Sequence, residues 1–85
     1  MSNSHSRNAV ILTPVGRQLR TLRHAKRLTL ARLSLTSGVD MATISRIERG
    51  RMTGTLESHI RLSRALGVHV TALYAELDQP LTPAP

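Results

Sequence analysis

The sequence predicts an all-α fold of five short helices, and three observations carry that prediction. Apart from Met the apolar residues are Leu, Ile, Val and Ala, with Tyr74 the single aromatic among 85 residues, a composition suited to helix packed on helix. Helix starts and stops alternate along the chain: Thr13, Thr29, Asp40 and Thr55 are placed as N-caps, and Gly38, Gly50 and Gly67 as terminators. No internal repeat and no pair of alternating segments joined by a hairpin turn is present. At this length the core is small, and with no cysteine neither a disulfide nor a thiolate metal site can supplement it.

The elements follow in order. Residues 1–13 are polar up to the apolar run "AVIL" (residues 9–12) and are expected to form a flexible N-terminal arm. The ordered domain is expected over residues 14–77. Thr13 caps the first helix, and Pro14 occupies its first position, where a missing N–H costs nothing. Val15, Leu19 and Leu22, with the stem of Lys26 beyond them, mark one face, while Arg17, Arg20, Arg23 and Arg27 occupy the remainder. Thr29 caps a second helix, "LARLSLTS" (residues 30–37), which Gly38 ends. Asp40 caps a third over residues 41–49, stopped by Gly50. Thr55 opens a fourth, "LESHIRLSRAL", with Leu56, Ile60 and Leu66 expected inward and Ser63 and Arg64 outside or at the edge. "VTALYAEL" gives a last short helix with Leu73 and Leu77 four apart. Three prolines in "DQPLTPAP" mark residues 78–85 as a tail or linker.

Charge is unevenly placed. Twelve Lys and Arg oppose five Asp and Glu for a net +7. Residues 1–54 carry ten of the cations against Asp40 and Glu48; residues 55–85 carry Arg61 and Arg64 against Glu57, Glu76 and Asp78. One part of the molecule is built to meet an anion and the other is not. All the cations but Lys26 are arginine, whose planar fork of donors suits phosphate and guanine. No apolar run approaches the ~20 residues of a membrane span, and the first residues have too short an apolar core for a secretory signal, so a cytoplasmic location is expected.

The third helix is unusually polar. A helix advances about 100° per residue, so Met41, Ala42, Ser45, Arg46 and Arg49 fall within about 140° on one side. Ile44 and Ile47 lie opposite, with Thr43 at the boundary. Two isoleucines thus fix a helix that displays a small, unobstructed face ending in arginines, of a size that a DNA major groove, about 12 Å wide, admits. Three or four residues around Gly38 (the turn is placed at 37–40) join helices two and three, the layout of a helix-turn-helix.

The landmarks Leu22-Arg23, Leu28-Thr29, Leu33, Gly38-Val39, Thr43-Ile44-Ser45, Ile47-Glu48, Gly50, Leu56 and Ala65-Leu66-Gly67-Val68 resemble those of the Cro and phage-repressor helix-turn-helix family, the xenobiotic-response-element group. The resemblance covers about residues 15–77 and implies a five-helix, lambda-repressor-like domain. By the same resemblance the chain is a sequence-specific double-stranded DNA-binding transcriptional regulator that places helix 41–49 in the major groove, usually as a homodimer on a palindromic operator. Carried over by position, base contacts fall on Met41, Ala42 and Arg46, with Ser45 close by, and phosphate contacts on Thr43, Arg49 and Arg51. The family's internal ion pair falls on Arg23 and Glu48. Val68, Val70, Leu73 and Tyr74 near the neutral end are expected to exceed what one small core buries. Because the family's dimer contact often lies at this end, they are expected to form one here; the alternative is that they close the protomer's own core. Residue 30, commonly a phosphate-binding glutamine, is Leu30 here, and the contact is expected to pass to Arg32. Residue 32, commonly acidic, is unable as arginine to complete a capping box with Thr29. His69 stands where a Ser or Thr cap is usual.

Other chemistries find little support. His5, His24, His59 and His69 have no short metal-ligand spacing, no Ser, His and Asp grouping proposes hydrolysis, and Asp40 is explained as a cap, so no enzyme activity, cofactor or metal is expected. The alternative of a different class is a protein-interaction module, an antitoxin or bridging factor whose main partner is another protein. The nearly neutral C-terminal part leaves room for such a partner or for an effector domain.

Overall fold

The computed structural model describes residues 4–77, with side chains from Thr13 onward. These residues form four α-helices and one short 3-10 turn and no strand: α1 (Ser4–Ala25), α2 (Leu30–Ser37), α3 (Met41–Glu48), α4 (Leu56–Leu66) and the 3-10 turn Val70–Tyr74. The all-α class stands, and the count of five helices does not. The fifth segment fails to become an α-helix because His69, its N-cap, contributes no side-chain hydrogen bond, and β-branched Val70 and Thr71 stand in the first turn. The Pro-rich tail expected over residues 78–85 lies outside the described residues.

The first helix also begins earlier than expected. It starts at Ser4, so the arm expected over 1–13 is helical from that residue on, and Thr13 and Pro14 lie inside the helix and not at its start. Proline lacks the N–H that would bond the carbonyl four residues back, and the helix runs on past that single missing bond. Lys26 lies past the end of α1 and is exposed.

Local capping accounts for α2 and α3. The Thr29 hydroxyl accepts the Arg32 N–H at 3.0 Å, and Gly38 ends α2 with φ 75°, its N–H donating to the Ser34 carbonyl. In the turn, the Val39 N–H donates to the Ser37 hydroxyl at 3.0 Å, which turns Val39 into the core. Asp40 then caps α3 through the Thr43 N–H at 3.0 Å.

Val15, Leu19, Leu33, Val39, Ile44, Ile47, Leu62, Leu66 and Leu73 form the core. Gly16 permits the closest approach within it. A Cβ there would stand 1.9 Å from the Ile47 carbonyl oxygen, so α1 crosses α3 nearly backbone to backbone. Two expectations are overturned by the packing. In α4 the inward residues are His59, Leu62, Ser63 and Leu66, while Leu56 is 63% exposed. Two polar residues can face inward because both are bonded. Ser63 donates to the Ile60 carbonyl, and His59 bridges the Tyr74 hydroxyl and the Thr53 carbonyl at 2.7 Å each. Leu73 is fully buried in the protomer's own core, so it is not a dimer contact, and Leu77 stays exposed.

Candidate nucleic-acid interface

An eight-residue helix is marginal on its own, so α3 depends on what holds it from behind. Ile44 and Ile47 are 0% and 1% exposed, and burying such side chains is worth roughly 1.5–3 kcal/mol each. Asp40 fixes the start. Gly50, with φ 74°, fixes the end, where its N–H bonds the Ile47 carbonyl and the Arg51 N–H bonds the Arg46 carbonyl at 2.8 Å. These anchors leave the opposite side of the helix outward. Met41, Ala42, Arg46 and Arg49 are exposed, as is Arg51 just beyond, and Ser45 is half-buried at the margin.

Glu48 is the one acid on this helix, and the fold neutralises it. The Arg23 guanidinium donates to both carboxylate oxygens, Nε to Oε2 at 2.7 Å and Nη2 to Oε1 at 2.9 Å. This fork-on-carboxylate geometry is among the stronger charge-assisted pairs, and both side chains are at least nine-tenths buried. The bond to Glu48 raises the Arg23 pKa, against the opposing effect of burial. A third donor, Nη1, reaches the Leu28 carbonyl at 2.7 Å, while Nη2 also lies 3.3 Å from the His24 Nε2. The pair therefore ties the end of α3 to the turn between α1 and α2. It also removes the negative charge that would oppose an anionic partner.

The remaining candidate residues are placed as follows. Arg32 projects from the first turn of α2 and is exposed. Thr43 is half-buried, and the Asp40 carboxylate accepts both its N–H and its hydroxyl, the latter at 3.2 Å; a phosphate would have to displace Asp40 to take that donor. Val68, Val70 and Tyr74 are half-buried near the C-terminal end of the described residues. Gly16 was not singled out by the sequence, and His59 figures there only among the histidines without metal-ligand spacing. A glycine in a helix interior is itself a signal of close packing, and His59 stands one turn before Leu62 and Ser63 on what proves to be the inner face.

A short exposed helix braced across a glycine turn, with its acid neutralised from behind, defines a helix-turn-helix unit. The helix-turn-helix domain family matches residues 14–77, and the chain belongs to that family, of the xenobiotic-response-element type. Over 40 residues it is 50% identical to a HTH-type transcriptional regulator of Bacillus subtilis, RghRB, a match covering 47% of this chain and 29% of that protein. A crystal structure of an HTH_3-family transcriptional regulator from Vibrio cholerae superimposes with a TM-score of 0.75 at 25% identity, over 80% of this chain and 38% of that one. The restriction-modification controller protein C.AhdI from Aeromonas hydrophila gives a TM-score of 0.70 at 34% identity, over 73% of this chain and 94% of that one. The chain thus spans well under half of the first two relatives. No helix among the described residues is long and apolar enough to cross a membrane.

Proposed function

We propose that the protein is a sequence-specific double-stranded DNA-binding transcriptional regulator that inserts α3 into the major groove. The observation that carries this reading is the outward face of α3, where Met41, Ala42, Arg46 and Arg49 are exposed over two fully buried isoleucines. On that face Arg46 forks onto guanine O6 and N7, and Met41 and Ala42 offer apolar contact to a thymine methyl. Ser45, at the margin, adds a hydroxyl that serves either base. Arg49, Arg51 and Arg32 hold phosphates and set the register. Thr43 joins them only by exchanging its bond to Asp40.

In this reading the protein acts as a homodimer on a palindromic operator. Val68, Val70 and Tyr74 offer half-buried apolar surface at the end of the molecule where net positive charge is lost. A two-fold pairing there sets the half-sites about one DNA turn apart. One observation favours the second reading, a module that chiefly holds another protein. Leu56 and Ile60 line an open groove on α4 together with Glu57, Arg61 and Arg64.

Selection of bound duplexes from a randomised pool, at near-physiological salt, separates the two. An enriched palindrome with half-sites about ten base pairs apart is the expected result. Binding without enrichment would reduce the contact to arginine on phosphate and move the search to a protein partner.

A further inference from the structure

Arg27 is the one non-glycine residue among those described with a left-handed backbone, φ 58°. It closes α1: its N–H donates to the His24 carbonyl at 2.9 Å, and the Leu28 N–H donates to the Arg23 carbonyl at 3.1 Å. Glycine adopts this conformation without bringing a Cβ against the following carbonyl. Gly38, Gly50 and Gly67 do so after α2, α3 and α4, with φ of 75°, 74° and 74°. One helix end in four therefore carries a strained arginine where the others carry glycine. Backbone stability alone does not account for that choice.

The surroundings of Arg27 supply a reason. It and Lys26 are both exposed, and neither has a carboxylate within ion-pair distance among the described residues. The next carbonyl, that of Leu28, is gripped by the same guanidinium that holds Glu48. A single buried side chain thus joins the α1–α2 turn to the end of α3. Lys26 and Arg27 immediately precede the joined carbonyl, and Arg49 and Arg51 closely follow the joined carboxylate. The two pairs of cations flank one neutralised ion pair, held in fixed relation to each other.

We propose that Lys26 and Arg27 form a second phosphate-binding ledge, gripping the backbone of the duplex whose groove α3 enters, with the left-handed turn fixing where the Arg27 side chain departs. This rests on the DNA-binding reading above. The ledge reads no base, so it contributes equally to every sequence.

The test is duplex affinity measured against salt concentration, alongside thermal unfolding, for the native chain, Arg27→Gly and Arg27→Lys. Removing one phosphate-binding cation lowers the slope of log affinity against log salt by about 0.9. Arg27→Gly, relieved of strain, should melt no lower than the native chain, yet bind every duplex several-fold more weakly with its slope reduced by about that amount. Arg27→Lys, which keeps the charge, should restore the slope. If Arg27→Gly keeps the native affinity and a steep native slope, the ledge is refuted while DNA binding stands. If the native chain itself shows no salt-dependent duplex affinity, the DNA-binding reading falls and the ledge falls with it.

Discussion

Arg23 shows how one side chain serves fold and site together. Its guanidinium satisfies Glu48 with two bonds and Leu28 with a third, and it is only 8% exposed. Removing one member of such a pair leaves the other buried and uncompensated, at a cost of roughly 3–5 kcal/mol. Arg23→Ala should therefore lower stability by about that amount in denaturant titration, before any effect on DNA is considered. A loss below about 1 kcal/mol, the range of an exposed pair, would mean that water reaches Glu48. Tyr74 is the other residue whose chemistry the fold alters. The Thr53 carbonyl can only accept, so His59 Nε2 carries the hydrogen, and in the neutral imidazole Nδ1 accepts from the Tyr74 hydroxyl. Burial raises the Tyr74 phenol above its ordinary 10.0, so the folded state holds that proton more tightly than the unfolded chain. The stability this gives is complete below pH 10, and is lost as pH rises through the raised value. Tyr74→Phe should be less stable at neutral pH by about 1–3 kcal/mol, from the orphaned histidine nitrogen, but should lose less on going to alkaline pH. Unfolding curves at neutral and alkaline pH check both parts.

At the scale of elements, what the sequence disclosed divides by range. The ends of α2 and α3 were legible because their determinants are local: Thr29 and Asp40 each bond an N–H three residues on, and Gly38 and Gly50 take the left-handed turn that follows. The outward set of α3 was legible for the same reason, since two isoleucines three apart leave little choice of inner face. The start of α1 was not, because Pro14 is compatible both with a first turn and with an interior that forgoes one bond. In α4 the apolar residues misled. Leu56 and Ile60 attracted the inner-face assignment, while His59 and Ser63, polar but bonded, took the buried places. Nothing local announces partners that lie at Tyr74 and Thr53. A paired substitution tests the corrected face. Leu62→Ala should cost about 2–5 kcal/mol as a core cavity, whereas Leu56→Ala should stay within about 0.5 kcal/mol as a surface change. Equal costs in chemical denaturation would return Leu56 to the interior.

At the scale of the molecule, the sign of the charge and the placement of apolar surface describe one division of labour. Residues 1–54 hold ten cations against Asp40 and Glu48, and Glu48 is sealed inside the ion pair. The C-terminal part is close to neutral and carries Val68, Val70 and Tyr74 half-exposed. The core, with members from Val15 to Leu73, includes Ile44 and Ile47 and so fixes the inner side of α3. The central claim is that this helix reads base edges through Arg46. Its most direct test crosses the residue with the base: affinities of the native chain and of Arg46→Ala for a selected duplex, and for the same duplex with the contacted guanine replaced. Arg46→Ala should lose ~1–3 kcal/mol on the selected duplex, and replacing the guanine should then cost it little more, while Arg49→Ala weakens both duplexes alike. If Arg46→Ala weakened both duplexes by the same factor, Arg46 would hold only the backbone, and the reading of α3 would be contradicted.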